Sequence, residues 1–280
     1  MKTSTDGPVH GDRERFLQAC DRIIDAGLLR NGIGTLGEKT LHAVLKHYLD
    51  PDPAHHEIRV GSYWADIASD EGIIEIQTRG FGKLRKKLDY FLQVQAVPVT
   101  LVYPVAATKW LLWIDPATGE LTRQRKSPKK GTAYEIFYEL YQIKSLLTHP
   151  RLRIRILLID LQEYRYLNGW STDKKRGSFR CNRIPTALSD EICINHLTAY
   201  ACLVPQTLPD RFTSRDFAGA AGLSMTAAQR ALNVLHDLGA VSRIEKIGNR
   251  HVYARNFPTA PEGSEDQFDG GTELSDSTRS

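Results

Sequence analysis

The sequence predicts a mixed α/β protein in which a mixed sheet is flanked by helices and followed by a smaller module of two helices and two strands. Three observations predict it. Apolar residues recur at helical spacing over 12–29, 36–49 and 83–95, and as short β-branched or alternating runs between them. The resulting order of helix, three strands, helix and strand places an α/β core within the first 165 residues. Beyond residue 210 the pattern becomes two short helices around a Gly-Leu-Ser turn, then two strands around a Gly-Asn turn.

The first helix, over 12–29, carries Phe16, Cys20, Ile23, Ile24 and Leu28 on one stripe. A glycine-rich loop (Gly32, Gly34, Gly37) leads to a second helix over 36–49 with Leu41, Val44, Leu45 and Tyr48 inward. The run Asp50-Pro51-Asp52-Pro53 stops it. Strands are expected over 56–60, 63–68 and 72–78. A basic amphipathic helix over 83–95 then buries Leu84, Leu88, Phe91 and Leu92, and buried strands follow at 97–103 and 111–114. Residues 134–147 read as helix and 152–161 as a strand with arginines at alternate positions. Residues 168–183 read as a polar loop, and 190–202 as a linker helix.

Composition narrows the function classes. The chain has 280 residues, 41% hydrophobic and 25% charged, ordinary values for a soluble globular protein. No apolar run reaches bilayer length, and residues 1–11 are too polar for a signal peptide. Four scattered cysteines without a CxxC pair fit buried thiols in a reducing compartment, so the expected location is cytoplasmic and no membrane partner is expected. A net charge of +4 conceals an asymmetry: 121–187 holds fifteen Lys or Arg against five Asp or Glu, whereas 257–280 holds six acids against Arg279 alone. The basic body points to a polyanionic partner. The tail, poor in apolar residues, is expected to be disordered. No GxSxG, Walker or GxGxxG pattern occurs, which excludes the common serine-hydrolase and nucleotide-binding readings.

The most informative stretch is 63–77. With Asp70-Glu71 as a two-residue turn, Ser69 faces Gly72, Ala68 faces Ile73, Ile67 faces Ile74 and Asp66 faces Glu75. Alternation puts Asp66, Glu75 and Gln77 on one face and Ile67, Ile74 and Ile76 on the other. Directly opposed carboxylates repel, and a divalent cation offsets that repulsion, with hard oxygen ligands suiting magnesium or manganese. The bland alternative is a solvated polar face at a sheet edge.

Asp66, then Glu75-Ile76-Gln77 on the next strand, preceded by Glu38 on a helix, resembles the PD-(D/E)XK nuclease superfamily over residues 37–103. The resemblance implies a restriction-endonuclease-like fold over 37–185, behind an N-terminal helix and loop over 1–36. It implies that Asp66, Glu75 and the Ile76 carbonyl bind Mg2+ or Mn2+ in a DNA-cleaving site, with Glu38, Asp66, Glu75 and Gln77 catalytic. Gln77 stands where lysine is usual. Glutamine can orient a water but supplies no ammonium, so the metal itself, or Arg79 or Lys83, would have to supply the missing charge. Thr35-Leu36-Gly37-Glu38 is also a capping box, a role for Glu38 compatible with the first. Lys83 and Lys87 on the basic helix are candidates for phosphate contact. Arg85 and Lys86, on the side away from Leu84 and Leu88, read as solvated.

From residue 212 on, Thr213 or Ser214 caps a helix to 221, Ser224 caps a second to about 238, and Gly239 ends it. Ala228, Ala231, Leu232, Leu235 and Leu238 form its core stripe; Thr226, Gln229, Arg230 and Asn233 form the opposite one. Lys246 and Arg250 sit on the two strands that follow. The stretch resembles the winged helix-turn-helix superfamily, within a segment 186–256 that includes the linker helix. The resemblance implies that the second helix reads duplex DNA while Lys246 and Arg250 contact its backbone. Seven basic against three acidic residues over 211–256 agree with a nucleic-acid partner. The readings that follow are a metal-dependent DNA endonuclease, a DNA-binding regulator with a silent nuclease-like domain, and a protein-docking module of a bacterial assembly. A homodimer, frequent among nucleases of this shape, is compatible with the first.

Overall fold

The computed structural model describes residues 11–31, 40–115, 117–170 and 176–256. Helices α1 (Arg13–Asn31) and α2 (Thr40–Leu49) precede a hairpin array of β1 (His56–Val60), β2 (Tyr63–Ser69) and β3 (Gly72–Ile76). Helix α3 (Phe81–Val94) crosses to β4 (Val99–Ile114), and β5 (Leu121–Lys126) turns back along its second half. A broken helical segment follows, with 3-10 turns on either side of the short α4 (Phe137–Leu140). Strands β6 (Leu152–Trp170) and β7 (Arg176–Ile194) complete a seven-stranded sheet of order β1-β2-β3-β4-β6-β7, with β5 beside β4. The β3–β4 and β4–β6 pairs are parallel and the rest antiparallel, so the sheet is mixed.

Two apolar layers sandwich this sheet. On one side α1 and α2 deliver Phe16, Leu41, Val44, Leu45 and Tyr48 onto Ile67, Ile76, Val102, Leu157 and Ile159. On the other, α3 and the broken helical segment bury Phe81, Leu88, Phe91, Phe137 and Leu140 against Ile73, Leu101, Ile154 and Ile156. The second layer continues without interruption into the C-terminal residues Phe212, Phe217, Ala228 and Leu232. There β8 (Arg211–Thr213), α5 (Ser214–Ala221), α6 (Met225–Asp237), β9 (Val241–Ile247) and β10 (Arg250–Arg255) form two helices and a three-stranded sheet of order β8-β10-β9. Thr213 caps α5 in a capping box with Asp216, and Ser224 caps α6. Gly222 and Gly239 take left-handed φ of 64° and 73° where those helices end, as glycine does at little cost.

Several expectations change. The loop expected over 168–183 is largely strand: β6 runs to Trp170 and β7 starts at Arg176, leaving 171–175 outside the described residues. The helix expected over 190–202 is instead the end of β7 followed by a 3-10 turn, Leu197–Leu203. The sheet therefore continues past residue 185 to Ile194. The two strands expected at 97–103 and 111–114 are one strand with a bulge near Ala107, and β5 was not anticipated. The expected first turn of α2, the acidic tail and the glycine loop fall outside the described residues.

Candidate active site

The hairpin register is the expected one, with Ile67 opposite Ile74, Ala68 opposite Ile73 and Ser69 opposite Gly72. The backbone ladder stops at Ile67–Ile74, and the two carboxylates take over. Asp66 Oδ2 accepts the Ile76 N–H at 2.7 Å, and Glu75 Oε1 accepts the Asp66 N–H at 3.4 Å. Each acid thus replaces a ladder bond where the strands diverge. The alternation of β2 breaks at the same place, because Tyr63 and Ala65 pack on the α3 side whereas Ile67 packs on the α1–α2 side. Glu57, opposite Asp66 in the β1–β2 register, has a φ of 54°.

The acids consequently do not share one face, which corrects the expectation from simple alternation. Asp66 Oδ1 meets His42 Nε2 of α2 at 3.1 Å, and Glu75 Oε2 accepts from Lys87 Nζ of α3 at 2.7 Å. Glu75 is 3% exposed. Burial, then the neighbouring Asp66 charge, push its carboxyl up to about 7, and Lys87 offsets only part of that. Burial also raises Asp66, but the His42 hydrogen bond and charge, with the Ile76 N–H, hold it below its ordinary value. The two acids thus hold their protons differently, Glu75 pushed up to about 7 and Asp66 held below its ordinary value.

The remaining expected residues fall variously. Gln77 Nε2 donates to the Arg79 carbonyl and closes its own loop. Lys83 is exposed at the start of α3, while Lys87, expected on phosphate, holds Glu75. Glu38 lies outside the described residues. His42 was not anticipated; together with Glu57 and Asp66 it forms a group whose ligand atoms lie within 4.8 Å of one another, although Glu57 is also paired with Lys46. In the C-terminal module Thr226 and Gln229 are exposed on α6, and Lys246 and Arg250 are exposed on the β9–β10 hairpin. Asn233 Oδ1 instead accepts from Lys144 Nζ at 2.9 Å, and the Arg230 guanidinium lies 5.7 Å from the Tyr141 ring. Lys144 also pairs with Asp237 at 2.5 Å.

A cleft of two adjoining cavities opens beside this centre. Its first cavity, about 260 Å³, is bordered by His42, Ile76, Thr78, Arg79 and Arg183. The next, about 190 Å³, shares Leu41, Thr78 and Arg183 and continues past Lys109, Lys129 and Glu163. Glu163 is 1% exposed and pairs with Arg165 at 2.5 Å, Lys109 at 3.4 Å and Arg183 at 3.7 Å. Burial raises its carboxyl, yet these three cations hold it below its ordinary value.

The part of the chain that builds this centre, residues 39–195, matches the family described as Domain of unknown function (DUF8091). The chain belongs to that family. The DUF8091 match opens at the start of α2 and closes one residue after β7, so it takes in His42, Asp66, Glu75 and Lys87. An uncharacterized protein of Treponema pallidum (strain Nichols) is 34% identical over 128 residues, 45% of this chain and 50% of that protein. The chain thus matches about half the length of that relative. No solved structure matches.

Proposed function

We propose that this DUF8091 protein is a metal-dependent phosphodiesterase acting on DNA, with a PD-(D/E)XK-like sheet as its catalytic body and a winged helix-turn-helix as its C-terminal module. The observation that carries the reading is the carboxylate pair at the β2–β3 divergence with an ammonium at 2.7 Å from Glu75. Lys87 brings from α3 the charge that Gln77, just beyond β3, cannot supply, so a residue from another element would take the place of the usual lysine. Two carboxylates on neighbouring strands, whose repulsion adds to burial in raising the Glu75 carboxyl, are hard oxygen donors of the kind that suit a divalent cation. Asp66, Glu75 and the Ile76 carbonyl would hold Mg2+ or Mn2+ once the two carboxylates turn from His42 and Lys87 toward each other, and the ion supplies an activated water and charge stabilisation when bound. His42 fixes the Asp66 carboxylate, and Lys87 keeps a positive charge beside the position of a scissile phosphate. The β8-β10-β9 sheet behind α5 and α6 supports the winged-helix reading.

The test is cleavage of plasmid and branched DNA with Mg2+ or Mn2+ by the wild type, Asp66→Ala, Glu75→Ala and Lys87→Met. Nicking by the wild type that drops at least a hundredfold in all three, with DNA affinity kept, is the expected result. A second reading has its own support: every carboxylate oxygen of Asp66 and Glu75 already has a protein partner. Salt-sensitive DNA binding without cleavage of any substrate would favour that reading, a DNA-binding regulator with a silent site.

A further inference from the structure

The basic middle of the sequence is not used by the carboxylate centre, and the structure gathers much of it on one surface. Beyond the bulge near Ala107, β4 runs between β5 and β6, with β7 outside, as a four-stranded arm. In its register Trp113 stands opposite Arg123 on β5 and Arg165 on β6, and Leu111 stands opposite Arg125 and Glu163. These residues share one face by strand alternation. The Arg123 and Arg125 guanidiniums lie 5.2 Å and 5.7 Å from the Trp113 ring. All six residues of β5 are exposed. The same face continues through Lys109, Glu163 and Arg183 into the cleft that passes Lys129 and Arg79 to His42 and Ile76. Seven cations thus line one track against the carboxylates of Glu163 and Glu135, which leaves it strongly positive.

We propose that this face of the arm, with the cleft below it, is a binding track for single-stranded nucleic acid. Charge complementarity selects a polyanion. The indole among guanidiniums adds a stacking platform, the pairing that single-strand binders use because every base has a π face. Scale selects a single strand over a duplex. The cavities of about 260 Å³ and about 190 Å³ are at or below the size of ordinary small-ligand sites and admit sugar–phosphate units one at a time. Along β4, Leu101, which pairs with Glu75, lies twelve residues from Trp113. That is at most about 40 Å, the reach of several nucleotides. Binding to this track stands apart from hydrolysis; only the idea that it leads a strand to the carboxylates rests on the nuclease reading.

The test is fluorescence anisotropy of the full chain in EDTA, so that cleavage plays no part. The probes are labelled oligo(dT) and a hairpin duplex of equal nucleotide count, titrated over a salt series. Oligo(dT) is expected to bind at least tenfold tighter than the hairpin. Arg123→Glu/Arg125→Glu is expected to weaken oligo(dT) at least tenfold and to reduce the slope of log affinity against log salt by about 1 to 2. Lys129→Ala, in a different segment, should weaken it about threefold, which keeps the test valid should the β5 pair disturb folding. Arg85→Glu/Lys86→Glu, on the exposed side of α3, should leave it unchanged. Equal or tighter binding of the hairpin, or track variants no weaker than the α3 control, would overturn the proposal.

Discussion

At Asp66 and Glu75 two acids of the same hairpin hold their protons very differently. Glu75 is the more buried and sits beside a negative charge, so its proton is retained up to about 7. Asp66 faces His42 and stays ionised well below that. The folded Glu75 value exceeds the ordinary 4.5, so the group stabilises the fold fully below about 4.5 and that contribution is lost as pH rises through about 7. Between pH 5 and pH 8 the lost stability is on the order of 3 kcal/mol. His47, lowered by burial and then by the His56 charge, contributes with the opposite sign, so the comparison must be between two proteins. Glu75→Gln keeps the shape and removes the titration. Chemical denaturation is expected to show the variant gaining on the wild type as pH rises from 5 to 8. Parallel curves would show that Glu75 does not carry a raised carboxyl.

Helix α6 was expected to present four side chains to DNA, and the structure divides them. Thr226, Gln229 and Arg230 are exposed, although the Arg230 guanidinium also lies against the Tyr141 ring, whereas Asn233 is engaged by Lys144 of the segment after α4. A duplex read by this helix must first displace Lys144 from Asn233 and Asp237. Lys144→Ala removes that competition, worth about 1 kcal/mol for a partly exposed pair with one charge-assisted bond. Duplex affinity is therefore expected to rise about three- to tenfold in an electrophoretic or anisotropy titration. An unchanged affinity in both Lys144→Ala and Gln229→Ala would move the contact to Arg250 and Lys246 on the hairpin. Elements differ in how far the sequence discloses them. The β2–β3 register was legible because a two-residue turn and the Ile67/Ile74 pairing leave one arrangement. The caps at Thr213 and Ser224 were legible because their chemistry is local. The first half of β6 was legible over 152–161, whereas its second half and the start of β7 were obscured because they run through polar, basic residues, where strand pairing, not apolar periodicity, holds them. His42 and Lys87 were not legible as partners of the acids, since each arrives from a helix packed on a different face.

At the scale of the whole molecule, the sequence suggested two domains joined by a linker helix, and packing joins them differently. Residues expected to link them form the outer strand of the main sheet, and the C-terminal helices share a core with α3 and the broken helical segment. The Phe137 and Phe217 rings meet edge to face at 6.2 Å, both fully buried, and Phe217 also lies 6.4 Å from Phe212. An apolar core continuous across the boundary couples the two parts, because opening the C-terminal module would expose the face of α4 and its flanking turns to water. The chain is therefore expected to unfold in one calorimetric transition. Phe217→Ala, which leaves a cavity at that junction, should lower its stability by about 3 to 5 kcal/mol and shift the transition as a whole. A wild-type profile with two separated transitions, only the lower of which responds to Phe217→Ala, would mean that the C-terminal module moves as an independent body. In that case the contacts of Arg230 and Asn233 would open with it, and α6 would reach a duplex without displacing Lys144.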